Sequence, residues 1–147
     1  MTTIIAVDPG ETCGVAVFVD GKVRYTAAMP PTDLYDWWGV GEALYTNPKL
    51  RFDAVIIEAF RLYPKQAGAQ SWSTFATVEV IGVLRERCRR KSVPFFTQGA
   101  AVKKPTGAIL KAQKVPLTGR SPHARDAELH GWHYLLSQQE RSKEGAL

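Results

Sequence analysis

Thr3-Ile4-Ile5-Ala6-Val7-Asp8-Pro9-Gly10 is the stretch whose reading decides the fold of this chain. An apolar, largely β-branched run leads straight into one aspartate, and a Pro-Gly turn stops it. Such a run, bounded by turn residues, predicts a fully buried central strand. A lone carboxylate at the end of a buried strand is costly unless something positive sits against it. Asp8 therefore needs either a basic partner or a metal ion. For an isolated Asp-Pro-Gly the ordinary reading is a salt-bridged or turn-capping aspartate, so its company along the chain has to decide.

The design recurs once. Phe52-Asp53-Ala54-Val55-Ile56-Ile57-Glu58 is a second buried run that ends abruptly in a carboxylate. A helix is predicted before it, starting near Thr32. There Leu34, Trp37, Trp38, Leu44 and Tyr45 recur at helical spacing until Asn47-Pro48. With a helix between them, the two strands can lie parallel through a right-handed crossover. Asp8 and Glu58 then share one end of neighbouring strands, and two carboxylates so placed need a cation between them unless one is protonated. Between Gly10 and that helix, Asp20-Gly21 is a strong two-residue hairpin signal. It joins Gly14-Val15-Ala16-Val17-Phe18-Val19 to Lys22-Val23-Arg24-Tyr25-Thr26, which completes an antiparallel meander with the first strand.

Further on, residues 73–91 predict the best helix in the chain. Val78, Ile81, Leu84 and Cys88 form an apolar stripe, and Arg85, Arg87, Arg89, Arg90 and Lys91 crowd the C-terminal turns, where the helix dipole favours cations. Gly82 in mid-helix costs up to ~1 kcal/mol relative to alanine and suggests close approach by another backbone, such as a partner subunit's helix. Residues 93–97 read as a fifth strand. Residues 98–122 carry Lys103, Lys104, Lys111, Lys114 and Arg120 with no acidic residue, a composition suited to phosphates. Ser121-Pro122 is a good helix start. It sets His123 and Asp126 on one face of the first turn, with Ala124, Ala127, Gly131 and Leu135 as a small-residue face toward the sheet. His123, Asp126, His130 and His133 spread over about 15 Å of helix, too far for a single ion to hold. His130 and His133 are therefore read as surface or core-edge histidines.

Composition sets the outer bounds. The chain has 147 residues, 45% of them hydrophobic and 22% charged, which excludes disordered and fibrous classes. It predicts one globular domain over 1–147, with 137–147 as a flexible tail. A net charge of +5 leans toward a polyanionic partner. Cys13 and Cys88 make neither a disulfide framework nor a CxxC, so a reducing cytoplasm is expected. No apolar run is long enough to span a membrane, and no basic region of a signal peptide opens the chain.

The three motifs Ile5-Ala6-Val7-Asp8-Pro9-Gly10, Val55-Ile56-Ile57-Glu58 and His123-x-x-Asp126-Ala127, in that order, resemble the RuvC-type Holliday-junction resolvases of the ribonuclease-H-like superfamily. The resemblance runs from residue 3 to about residue 137. It implies an α/β, ribonuclease-H-like fold: a mixed five-stranded sheet, part antiparallel meander and part parallel strands, flanked by helices. It also implies a homodimer formed partly through the helix after Glu58. The implied activity is metal-dependent endonuclease cleavage of four-way DNA junctions in recombination, repair or the resolution of replication intermediates.

By position, Asp8, Glu58 and Asp126 correspond to the family's metal-binding carboxylates, and His123 fills a place that is aspartate or histidine among members. Two Mg²⁺ ions, for which Mn²⁺ can substitute, would stabilise the attacking and leaving oxygens and leave 5′-phosphate and 3′-hydroxyl ends. Asp8 is expected to bridge the ions, Glu58 to bind the one beside the attacking water, and Asp126 to complete the site. His123 is expected to bind an ion directly or through water, or to shuttle protons. DNA contacts are expected from Phe60, Arg61, Tyr63, Lys65 and Gln66 after the second carboxylate, with Phe60 as a wedge between bases. Lys103, Lys104, Lys111, Lys114, Arg120 and Arg125 are expected to contact phosphates.

The loop after Glu58 and the segment Leu117-Thr118-Gly119-Arg120-Ser121-Pro122 depart from the family's usual wording. Three alternatives stand beside a resolvase. One is a nuclease of the same fold acting on flaps, forks or RNA. Another is a non-catalytic branched-DNA-binding protein. The third is a sugar-kinase or actin-like phosphotransferase, a class that pairs two such domains around a nucleotide where this chain has one.

Overall fold

Strand β1 (Thr3–Asp8) is buried along its whole length and lies at the centre of a five-stranded sheet of order β3-β2-β1-β4-β5. The computed structural model describes residues 2–44, 52–60 and 72–146. Strands β2 (Cys13–Val19) and β3 (Lys22–Met29) complete the antiparallel meander. Asp20 and Gly21 both take positive φ at its turn (49° and 75°), as a tight Asp-Gly hairpin requires. Helix α1 (Pro31–Leu44) carries the chain across to β4 (Ala54–Glu58), which pairs parallel to β1 with Val7 beside Ile57. Residues 45–47 of the predicted first helix lie outside the described residues.

Helix α2 (Trp72–Lys91) then leads to β5 (Phe95–Gln98), which is parallel to β4 with Glu58 beside Gln98. The fifth strand begins two residues later than residues 93–97 suggested. Val93 closes α2 instead, donating its backbone N–H to the Cys88 carbonyl.

The period of two along β1 and β4 sorts their side chains between two cores. Ile5, Val7, Val55 and Ile57 meet Leu34 and Trp38 of α1 and Val80, Ile81, Leu84 and Cys88 of α2. Ile4, Ala6, Ala54 and Ile56 face the other way, toward Ala127, Trp132 and Leu135 of α4 (Pro122–Gly145). Asp8 and Glu58 continue the second series. Both carboxylates therefore come out on the α4 side, at the same end of adjacent strands.

Helix α4 approaches this face closely because small residues line both surfaces. Ala124 and Ala127 are buried, and Gly131 sits where a Cβ would come 2.2 Å from the Phe18 ring. Its N-cap is Ser121, whose hydroxyl accepts from the Ala124 N–H, with Pro122 in the first turn. The predicted tail is helical as far as Gly145, since the Gln, Glu, Arg and Lys residues there are good helix formers with no earlier break.

One further expectation changes: the inner stripe of α2 uses Val80, Ile81, Leu84 and Cys88, whereas Val78 is 49% exposed. Within residues 98–122 a 3-10 turn (Ala100–Val102) runs into α3 (Lys103–Ala112). Pro105 falls in the first turn of α3, where a missing N–H breaks no helical bond. Among the described residues no helix is long and apolar enough to cross a membrane.

Candidate metal centre

Asp8, Glu58 and Asp126 converge at the end of the sheet beneath the first turn of α4. One oxygen from each lies within 4.8 Å of the others. These carboxylates come from β1, β4 and α4, elements held by the two strand registers and by the close packing of α4's first turn on Gly14 of β2. The expected set is thus brought together, and His123 with it: His123 Nδ1 is 3.2 Å from Asp8 Oδ2, and the ring is about half exposed.

The three acids and their neighbours act on one another electrostatically. Burial raises the Asp8 carboxyl above the usual aspartate range. The hydrogen bond with His123 opposes this, and the charges of Glu58 and Asp126 push it further up. Burial would raise Glu58 as well, but hydrogen bonds from His130 and Lys103 outweigh it and hold that carboxyl below its usual value.

Lys103, the first residue of α3, sits between two of the acids. Its Nζ is 3.0 Å from Glu58 Oε2 and 2.9 Å from Asp126 Oδ2. Burial alone would lower the ammonium's pKa, yet its hydrogen bonds to Asp126 and Glu58 raise it. From sequence Lys103 was one basic residue among several; its place on the carboxylates depends on a helix that the sequence did not announce.

His130 lies deeper than the surface or core-edge position expected of it. It is fully buried, with Nε2 at 2.8 Å from Glu58 Oε2 and Nδ1 at 2.8 Å from Gln98 Oε1. The signal available was its spacing of four residues from Asp126, which puts both on one helix face. His133 turns instead to Thr106 on α3, with Nδ1 3.4 Å from the hydroxyl, and burial lowers its pKa.

The expected DNA contacts divide. Lys104, Lys111, Lys114 and Arg120 are exposed along α3 and the segment leading to α4. Arg125 turns back to donate to the Gly119 and Arg120 carbonyls. The same turn is gripped from below by Glu128, a fully buried carboxylate that accepts from the Thr118 N–H and hydroxyl and from the Gly119 N–H. Phe60 is 37% exposed and lines a groove with Val78, Ile81, Gly82, Arg85 and Thr97. Arg61, Tyr63, Lys65 and Gln66 lie outside the described residues.

Much of the basic end of α2 has structural work. Arg85 lies over the Phe95 ring and Arg87 over Tyr35, and Arg89 and Arg90 pair with Glu86.

No protein-family model matches the sequence, and no curated protein matches it. Among solved structures, the chain is similar to T. thermophilus RuvC in complex with a Holliday junction substrate. The TM-score is 0.67 at 14% sequence identity, over 95% of this chain and 96% of that one. A looser likeness is YeaZ from Pseudomonas aeruginosa, with a TM-score of 0.47 at 16% identity over 78% of this chain and 51% of that one. The chain has the RuvC-type, ribonuclease-H-like fold, with three carboxylates gathered at one end of its sheet that could together hold a metal ion.

Proposed function

We propose that this protein is a metal-dependent endonuclease that cleaves branched DNA, with the four-way junction as its substrate, in recombination, repair or the resolution of replication intermediates. The observation that carries the reading is the convergence of Asp8, Glu58 and Asp126 within 4.8 Å, on a fold shared with a protein solved on a Holliday junction.

The residues fit a hard divalent cation. The donors are all carboxylate oxygens, which suit Mg²⁺ or Mn²⁺, and Asp8 is pushed up partly by its two acidic neighbours, the mark of a site short of positive charge. Asp8, Glu58 and Asp126 would hold two Mg²⁺ ions, which when bound stabilise the attacking and leaving oxygens of an in-line phosphoryl displacement.

The chain's own groups do the rest. His123, half exposed beside Asp8, stands where an imidazole can carry a proton from the attacking water to solvent. Lys103 can offer its ammonium to a phosphate oxygen laid against the carboxylates it now pairs with. Lys104, Lys111, Lys114 and Arg120 would hold backbone phosphates, a sequence-independent contact weakened by salt. Phe60 would stack on or wedge between bases.

The homodimer reading draws support from the outer face of α2. Phe75 and Val78 are 55% and 49% exposed, and a Cβ on Gly82 would meet nothing within 4 Å among the described residues, so a partner's helix could come close there.

The test is a panel of labelled four-way junction, flap, fork, duplex and RNA–DNA hybrid in Mg²⁺. Paired, symmetric nicks confined to the four-way junction are expected. Equal cutting of flaps and forks would move the substrate to branched DNA at large. Cutting of the hybrid alone would overturn the DNA reading.

A further inference from the structure

The strongest unassigned feature is the buried chain Gln98–His130–Glu58. His130 lies one helical turn beyond Asp126 on the same face of α4, and no part of it reaches solvent. A buried imidazole must have both nitrogens satisfied. Here Nε2 meets Glu58 Oε2 and Nδ1 meets the Gln98 side-chain amide, both at 2.8 Å. Glu58 and Gln98 are themselves register partners across β4 and β5, and the Ala59 N–H donates to the Gln98 carbonyl. One ring thus ties the ends of two strands, already joined to each other through their backbones, to α4.

We propose that His130 is a positioning residue that locks the Glu58 carboxylate into the orientation in which it binds a divalent cation together with Asp8 and Asp126. The proposal rests on the metal-site reading above. Glu58 has a longer side chain than either aspartate and more rotamers to lose. Its neighbours in the site do not share the same kind of support. His123, beside Asp8, is half exposed. Lys103 holds Asp126 and Glu58 from a partly exposed position, and as a cation it competes with any metal for the same oxygens. His130 is different, because it grips Glu58 from inside the protein and does not stand where an ion or substrate would enter. A residue that orients a metal ligand from behind typically changes metal affinity or activity 10–100-fold when removed. An apolar side chain at this buried position would avoid the desolvation that an imidazole carries. The polar choice therefore needs a reason, and orientation of Glu58 supplies one.

The experiment is Mn²⁺ uptake by the DNA-free protein, read from the electron paramagnetic resonance signal of unbound Mn²⁺, for native, Asp8→Asn, His130→Leu and His130→Gln chains. Circular dichroism and four-way-junction binding in EDTA are measured in parallel. Native uptake that Asp8→Asn abolishes is expected, with affinity down about 10–100-fold in His130→Leu. The fold and EDTA-state junction binding should be kept, and His130→Gln, which retains a donor toward Glu58, should recover part of the loss. A merely structural role would alter thermal stability and leave Mn²⁺ affinity alone. If His130→Leu does not fold, His130→Gln and Gln98→Leu carry the comparison, each expected to weaken uptake severalfold. Folded His130 variants that bind Mn²⁺ as tightly as native overturn this proposal and leave the metal site standing. A native protein without Asp8-dependent uptake overturns the metal-site reading and this proposal with it.

Discussion

A Cβ placed on Gly14 would stand 1.8 Å from the backbone carbonyl oxygen of His123. Gly14 is the register partner of Asp8 across β1 and β2, so its bare Cα is what allows the first turn of α4 to rest directly on the sheet beside the first carboxylate. His123 and Asp126 owe their positions to that contact. The clash is with backbone, which has no rotamer to yield. Gly14→Ala is therefore expected to lower stability by about 1–3 kcal/mol, with Tm falling about 2–4 °C per kcal/mol. Metal uptake should be lost even where the chain still folds. Thermal melts and Mn²⁺ binding check it; unchanged values in both would mean that α4 is not held at this point.

Ionised Asp8 works against the stability of the metal-free protein. Because burial lifts the Asp8 pKa above 3.8, ionising Asp8 costs the folded state. That penalty is fully present above the raised folded pKa and disappears below the unfolded value. Asparagine cannot ionise, so metal-free Asp8→Asn should melt higher than native at pH 7. The gap should close as pH falls through the raised pKa and be gone below the ordinary aspartate range. Melting curves from pH 7 to pH 3 in EDTA test this, and a variant that melts lower at pH 7 would contradict it.

Lys103 supplies positive charge to Glu58 and Asp126 when no metal is bound. Lys103→Met keeps much of the side chain's bulk and removes the charge. In EDTA its Tm should fall by about 2–4 °C, the scale of about 1 kcal/mol for a partly buried ion pair. The rise in Tm on adding Mn²⁺ should exceed the native rise, since the ion then relieves a larger repulsion. Equal rises in both proteins would show that lysine and metal do not share the site.

How far these features can be read from sequence differs by element. The buried runs ending in Asp8 and Glu58 were legible because strand period and residue type agree: Ile4, Ala6 and Asp8, like Ala54, Ile56 and Glu58, share a face by simple alternation. The Asp20-Gly21 turn and the Ser121-Pro122 helix start were legible because local chemistry specifies them. Helix α3 was hidden by Pro105 and Gly107, which look like breaks when the first turn cannot be located. The inner face of α2 turns on Val80 where Val78 was expected, a choice made by packing against α1 and the sheet. His130 could not be placed because its partner Glu58 is 72 residues away, and spacing along one helix cannot say what lies across from it.

The most direct measurement is cleavage of a labelled four-way junction by native and Asp8→Asn protein, each in Mg²⁺, Mn²⁺ and EDTA, with binding followed in the same samples. Paired nicks by the native chain are expected with either metal, none in EDTA, and none by Asp8→Asn although it still binds the junction. Tight junction binding by the native chain without cleavage in any metal would contradict the enzyme reading and leave a DNA-structure-binding protein on a nuclease fold.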